Sequence, residues 1–415
     1  MKTLLVIGFV YPEPKSSAAG SRMLQLISLF QSQGYNVTFA TTCTDSTNAF
    51  DLHSIDVSVA EIALNDVSFD DFLIQLNPDV VLFDRFMIEE QFGWRVAEHC
   101  PNALRILDTE DLHCLRKGRH AAIKANQDFN DTYLFNDIAK REIASIYRCD
   151  VSLMISEVEV QLLQDKFKVD SSLLYCLPFL LEETSKATNQ LPNFETRAHF
   201  VTIGNFLHNP NYDAVLYLKQ TIWPLIRKQL PKAELHIYGA YASQKVTQLH
   251  KPQEGFYIKG YAEDVSQVMQ HAKVCLATLR FGAGLKGKLV DAMQNGTPCV
   301  MTSIAAEGMF GNLEANGLVV DTPEAIADSA VNLYTNKDLW VASQQNGFSV
   351  VDKRFQLEAF KANFLNHIQA IQDNLQAHRL QNFTGAMLQH HSMQSTKFMS
   401  RWIEEKQKNK TNEAN

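Results

Sequence analysis

The chain has 415 residues, of which 46% are hydrophobic and 20% charged, and its formal net charge is -8. That length implies two domains or three, each large enough to bury its own core. The acidic balance argues against a nucleic-acid binder, which needs a basic face to displace counterions, and against a strongly polybasic membrane anchor. The seven cysteines (Cys43, Cys100, Cys114, Cys149, Cys176, Cys275, Cys299) are scattered, with no C-x-x-C pair. They read as reduced, buried thiols of a cytosolic protein and offer no zinc site. The opening run MKTLLVIGFVYPEP is too short for a signal peptide and has no small-residue cleavage site. No apolar run approaches the roughly 18 residues of a membrane span, so a cytoplasmic protein is expected.

Short apolar runs alternate with amphipathic segments along the chain. TLLVIGF (3–9) predicts a strand, SRMLQLISLFQSQG (21–34) a helix, and YNVTFATT (35–42) the next strand. VVLFD (80–84), ALRIL (103–107), VSLMIS (151–156) and LLYCLP (173–178) follow, mostly separated by helical stretches. EETSKATNQLPNFETRA (182–198) has no apolar period and reads as a linker. The alternation then restarts with HFVTIGNF (199–206), and YDAVLYLKQTIWPLIRKQL (212–230) is a helix that Pro224 allows to kink. AELHIYG (233–239), GFYIKGY (255–261), KVCLATL (273–279), PCVMT (298–302) and GLVVD (317–321) are further strands. This order predicts an α/β protein built of two doubly wound, Rossmann-like parallel sheets in tandem, at 1–181 and 199–356. Ligands of such sheets bind at the carboxyl ends of the strands, so the cleft between the domains is the expected site. A helical segment follows at 357–405, and 406–415 reads as a disordered tail.

One stretch demands a choice. FGAGLKGKLVDAMQNGTPCV, Phe281 to Val300, contains G-x-x-x-x-G-K after a strand and before a helix. A P-loop NTPase needs Ser or Thr directly after the lysine to hold magnesium, and here that residue is Leu289. The aspartate that would pose as a Walker B partner, Asp84, lies before the linker. What survives is a small-residue turn that a ligand can approach closely, a helix start with a positive dipole end, and two lysines, Lys286 and Lys288. Asp291 follows in the first turns, placed to accept from ribose hydroxyls. A nucleoside diphosphate fits this pattern; the plain alternative is a helix start packed tightly on glycine.

From Leu4 to about Asp352 the chain resembles the retaining, group 1 glycosyltransferases with the GT-B fold. YPEPKSSAAGSRMLQLISLF (11–30) is similar to that family's first loop and helix, LDTEDLHCLR (107–116) to a segment of a bacterial subset, and DVSLMISEVEVQLL (150–163) to its Ser-Glu run before a helix. VTIGNFLHNPNYDAVLYL (201–218) resembles the strand that opens the donor domain. The most specific likeness is FGAGLKGKLVDAMQNGTPCVMTSIAAEGM (281–309), which resembles the GAGxKGK version of the donor loop. Two departures stand out. Where the family has two glutamates separated by seven residues, the second position is Asp291 and the first is Ala283. The Arg and Lys that often follow the donor domain's first strand are missing from GNFLHNPNYD (204–213), which leaves Lys286 and Lys288 to take their place.

The resemblance implies a GT-B fold and transfer of a sugar from a nucleotide-sugar donor to a glycan, lipid-linked or other acceptor, in bacterial cell-surface polysaccharide or glycoconjugate assembly. It implies donor-binding roles for Gly204, Asn205, Gly282, Gly284, Leu285, Lys286, Gly287, Lys288 and Asp291. No cofactor or metal is expected, because the nucleotide sugar is a co-substrate and no D-x-D triad is evident. On the acceptor side stand Gly20, Ser21, Asp108 and Glu110, with His113, Asp111 and Arg22 as candidate catalytic groups. Ser21 and Arg22 read equally as a helix cap and a surface arginine, and His113 equally as structural. LRKGRHAAIK (115–124) is a solvated basic face or a peripheral contact with anionic lipid at the inner side of a membrane. Two alternatives remain open at this point: a sugar-nucleotide epimerase on the same fold, and a catalytically silent binding or scaffold protein, to which Ala283 points.

Overall fold

The computed structural model describes residues 2–44, 48–182 and 191–413. Thirteen strands are described: β1 (Thr3–Gly8), β2 (Asn36–Thr41), β3 (Ser58–Glu61), β4 (Val80–Asp84), β5 (Leu104–Asp108), β6 (Val151–Met154), β7 (Leu174–Cys176), β8 (Ala198–Ile203), β9 (Leu235–Tyr238), β10 (Phe256–Gly260), β11 (Ala272–Ala277), β12 (Cys299–Met301) and β13 (Gly317–Val319). They form a seven-stranded sheet in the order β3-β2-β1-β4-β5-β6-β7 and a six-stranded sheet in the order β10-β9-β8-β11-β12-β13. All the pairings are parallel, and each sheet reverses its winding direction once, between β1 and β4 and between β8 and β11. Those reversal points open crevices at the strand ends.

The central strands are largely apolar because helices cover both faces. β1, β4 and β5 are buried along almost their whole length, from Leu4 to Gly8, Val80 to Asp84 and Leu104 to Asp108. The edge strands β3, β10 and β13 are only half-buried, and β3, which lacks a marked apolar run, was not anticipated. The long helix after β8 begins at Asn209 and widens to π-type winding at Leu218–Ile222, just before Pro224. That is how the kink expected at the proline is absorbed.

The expected linker spans 182–198, of which 183–190 lie outside the described residues. The chain crosses back near the same place. Leu181 N–H donates to the Phe355 carbonyl at 2.7 Å, and Leu357 N–H to the Leu181 carbonyl at 2.8 Å. Beyond that crossing, Leu357–Asp373 packs on the first domain, with Phe364, Ile368 and Ile371 in one cluster with Leu4, Val6, Phe30 and Leu82. The helix Phe383–Glu413 runs on through residues 406–413, read above as a tail. Lys, Gln and Glu are good helix formers, packed earlier turns nucleate the rest, and Lys408 pairs with Glu405 at 2.9 Å. Residues 414–415 lie outside the described residues. No helix among the described residues is long and apolar enough to cross a membrane.

Candidate functional site in the cleft

The two sheets meet through their reversal points. At the end of β1, Phe9 N–H donates to Asp84 Oδ2 at 2.9 Å, which ties the β1 and β4 ends together. The next residue, Arg85, has φ +71, and after β5 Glu110 has φ +62. Two non-glycine residues in the left-handed region at neighbouring strand ends mark a stressed rim, of the kind that clusters at working sites. Arg85 pairs with Asp84 at 3.0 Å. Burial, with Asp108 nearby, pushes the Glu110 carboxyl up to about 8.

His113 opens the helix His113–Lys124 directly after this rim, and its Nε2 lies 3.4 Å from Asp111 Oδ1. Burial brings His113 down to about 4, so the ring is neutral at physiological pH. Asp111 is instead held well below the usual carboxylate range by Arg116, which grips it at 2.7 and 3.1 Å. Asp111, Glu110 and His113 thus gather where the β5 end meets the second domain: a Cβ placed on Gly284 would sit 2.9 Å from Asp111 Cβ and 3.4 Å from the Glu110 carbonyl oxygen.

Arg22 and Asp108 have a different character from the one expected. Arg22 is 1% exposed and Asp108 0%, with Arg22 Nε 2.9 Å from Asp108 Oδ1 and Nη1 2.7 Å from the Leu177 carbonyl. This is a buried ion pair that props the β5 end and the loop after β7, not a surface arginine, and neither group is open to a ligand. Nor is Ser21 the helix cap. Ser17 is, accepting from Gly20 N–H at 3.1 Å, while Ser21 Oγ donates to the Pro14 carbonyl at 3.2 Å. Gly20 has to be glycine, since a Cβ there would lie 2.4 Å from the Glu13 backbone nitrogen. These residues shape the loop 11–17 at the cleft.

In the second domain the loop Gly282–Lys286 leads into the helix Gly287–Gln294, whose cap residue, Lys286, gives no side-chain cap hydrogen bond. A Cβ on Gly287 would lie 2.7 Å from Ala18 Cβ. The starts of the Ala18–Gln31 and Gly287–Gln294 helices therefore face each other across the cleft, and two positive dipole ends converge there. Lys288 Nζ donates to Asn211 Oδ1 at 2.9 Å, and Asn211 Nδ2 to the Asn205 carbonyl at 3.0 Å. This relay brings Lys288 and the Gly204–Asn205 turn together. Lys286 is folded inward, its Nζ on the Ala283 carbonyl at 3.0 Å and the Gly284 carbonyl at 2.5 Å. Burial lowers both lysines to about 8 and raises Asp291 to about 7. Leu285 is buried and packs in the second domain's core with Leu289 and Met309.

Several cleft residues escaped the reading of the sequence. Glu159, 1% exposed, accepts from Gly284 N–H at 2.7 Å and from Leu112 N–H at 3.2 Å through one oxygen, so it grips both domains. Burial and Asp111 raise it to about 8. Arg119 reaches across to Glu307 at 2.7 and 2.8 Å and to the Gly282 carbonyl at 2.9 Å. His120 stacks on Phe281 with ring centres 4.3 Å apart. The basic run 115–124 is therefore largely turned into the cleft, and of its cations only Lys117 and Lys124 are exposed. Ala283, 7% exposed, is buried in one cluster with Leu112, Cys114 and Leu115 of the first domain's core.

Against known proteins, residues 197–336 match the profile of the family described as Glycosyl transferases group 1. Among curated proteins no sequence match is found. Solved structures match over nearly the whole chain. A Staphylococcus aureus TarM mutant, in complex with fondaparinux, alpha-GlcNAc-glycerol and UDP, superposes with TM-score 0.68 at 12% identity, over 88% of this chain and 99% of that one. Sucrose-phosphate synthase from Thermosynechococcus elongatus gives 0.66 at 16% identity, over 89% and 99%. Anabaena HepE in complex with UDP-glucose gives 0.63 at 12% identity, over 89% and 100%. The class defined by these likenesses is the GT-B fold, two Rossmann-like domains facing a cleft with a C-terminal helical extension. Within it, the Gly282–Lys288 loop lies inside the stretch that matches the group 1 glycosyltransferase profile.

Proposed function

We propose that the protein is a retaining glycosyltransferase of the GAGxKGK type. It transfers a sugar from a nucleotide sugar to a glycan, lipid-linked or other acceptor in bacterial cell-surface polysaccharide or glycoconjugate assembly. It would work in the cytoplasm, peripherally at the inner face of the membrane. The observation that carries this reading is the convergence of two helix starts on a glycine loop flanked by Lys286 and Lys288, inside the segment that matches the group 1 family. TarM and HepE, similar in fold, are described in complexes with UDP or UDP-glucose.

The diphosphate would lie at the Gly284–Lys288 turn and take hydrogen bonds from backbone N–H groups of the helix start. Negative charge grows on it as the glycosidic bond to the donor breaks through an oxocarbenium-like transition state. Fixed dipoles and lysine charge in a water-poor cleft stabilise that charge. To reach the ligand, Lys286 must leave the two carbonyls it now holds, and Lys288 its bond to Asn211. Asp291 would accept from the ribose. Asp111, Glu110 and His113, on the opposing rim, would face the acceptor, with neutral His113 able to accept a proton from its hydroxyl.

Calorimetry with nucleoside diphosphates, followed by turnover of nucleotide sugars with and without glycan acceptors, tests the reading. A transferase binds the diphosphate and releases it rapidly only with acceptor. An epimerase alters the sugar without acceptor. A scaffold, the reading that the snug packing of Ala283 favours, turns over nothing.

A further inference from the structure

Three groups of the Gly282–Lys288 loop that could bind an anion are held by the chain itself. Gly284 N–H donates to Glu159 Oε1, Lys286 Nζ is folded onto the Ala283 and Gly284 carbonyls, and Lys288 Nζ donates to Asn211 Oδ1. Of these partners Glu159 alone comes from the first domain. It stands on the helix Glu157–Phe167, and the same Oε1 also accepts from Leu112 N–H at 3.2 Å. At 2.7 Å from Gly284 N–H, this carboxyl oxygen makes the contact that a phosphate oxygen makes with the backbone of a glycine turn before a helix.

The loop is shut by shape as well. A Cβ on Gly284 would lie 2.9 Å from Asp111 Cβ and 3.3 Å from Ile155 Cγ2, and one on Gly287 would lie 2.7 Å from Ala18 Cβ. Just beyond the loop, a Cβ on Gly308 would lie 2.5 Å from Ser156 Oγ. On those sides the two domains leave less space than one carbon atom needs, and a phosphate group is larger than a methyl. Arg119 on Glu307 and the Gly282 carbonyl holds the arrangement closed, and so does Tyr241, whose hydroxyl donates to Glu13 Oε1 at 2.7 Å. Tyr241 has φ +59, a strained conformation for a tyrosine. Among the described residues Glu159 Oε2 is buried without a hydrogen-bond partner. Closure thus keeps a polar atom dry that opening would return to water.

We infer that Glu159 is an internal stopper of this loop: its carboxyl occupies the Gly284 N–H that the diphosphate takes, so the donor enters only after the domains part. This rests on the donor reading of the loop given above. The order of events is opening, entry of the diphosphate, and exchange of one carboxyl for a group of greater negative charge, which Lys286 and Lys288 favour once released. The closed fraction weakens the apparent affinity in proportion. Calorimetry at pH 7 with inorganic pyrophosphate and with uridine diphosphate compares wild type, Glu159→Ala and Glu159→Gln. Glu159→Ala removes the competing acceptor and should bind roughly tenfold more tightly. Glu159→Gln keeps an oxygen for Gly284 N–H and should stay near wild type. Small-angle scattering reads the wild type without any variant, and decides alone if Glu159→Ala does not fold. The radius of gyration should rise on saturation with either ligand, since ligand and Glu159 cannot share one N–H in the closed form. A radius that falls or stays constant overturns the inference. So does a folded Glu159→Ala that binds no more tightly than wild type, or a Glu159→Gln that gains as much as Glu159→Ala. No binding of either ligand to any of the three proteins would instead refute the donor reading itself.

Discussion

Glu159 grips both domains with a carboxylate that burial drives up, which makes cleft closure sensitive to pH in a direction that can be worked out. Its ordinary value is 4.5 and it is raised to about 8 in the closed protein. A carboxyl raised on folding stabilises the folded, closed form fully below its unfolded value. That contribution is lost as pH rises toward and through about 8. Each pH unit in that interval removes up to about 1.4 kcal/mol, so between about pH 6 and about pH 8 the loss approaches roughly 2–3 kcal/mol. Glu159→Gln keeps an oxygen to accept from Gly284 and Leu112 N–H but cannot ionise. Its amide nitrogen, in place of the second oxygen, costs something constant, so slopes with pH matter and offsets do not. Urea midpoints of wild type and variant, measured at several pH values in that window, should diverge in slope, with the variant flatter. Parallel curves would refute the reasoning, since Glu110 and Glu142, also raised by burial, are common to both proteins.

Further outcomes follow from the cleft. Lys286→Ala with Lys288→Ala should weaken nucleoside diphosphate binding by roughly 1–3 kcal/mol by calorimetry, as charge-assisted hydrogen bonds are lost; unchanged affinity in a folded double variant contradicts the assignment. Asp291→Asn should weaken uridine or guanosine diphosphate but hardly affect pyrophosphate, and equal losses would place Asp291 on the phosphates or in folding. Arg119→Ala removes the two-pronged contact with Glu307 and should enlarge the radius of gyration in small-angle scattering without lowering the helix content. His113→Ala should lower turnover far more than donor affinity, and because the ring titrates at about 4, wild-type turnover should show no step near pH 6.5 owing to it.

Much of the architecture was readable because buried parallel strands leave continuous apolar runs. VVLFD coincides with β4 residue for residue, and the alternation of such runs with amphipathic helices defines two sheets. β3 was not readable, since Ser58–Glu61 lies at an edge and is half-exposed. The Gly282–Lys288 loop was visible for a local reason: glycines, lysines and a helix start fall within seven residues. The contacts made across the cleft were not. Nor was the ion pair inside the first domain, where Arg22 meets Asp108, 86 residues away, and nothing near Arg22 announces a buried partner. Glu159 was hidden by a misleading local signal. Ser156 caps its helix by accepting from Val158 N–H, and Ser-x-x-Glu spacing points to a glutamate that turns back on its own helix start. Here the carboxylate faces the other domain instead. Ala283 tells the same story from the opposite side: its small size makes sense only once the first domain's core is seen pressed against it.

The return of the last helices to the first domain sets a rule for how the molecule is made. A ribosome releases residues 1–181 early, but the groups that cover Phe30 and neutralise Asp150 and Arg95 come from Phe364, Arg379 and Glu404. The domain that is born first is thus finished last, after the whole second domain has emerged and had time to fold. Until then its unfinished surface has to be shielded by chaperones or tolerated in solution. A stop codon near the end of the message would strike the earliest-made half of the protein and leave the later-made half intact.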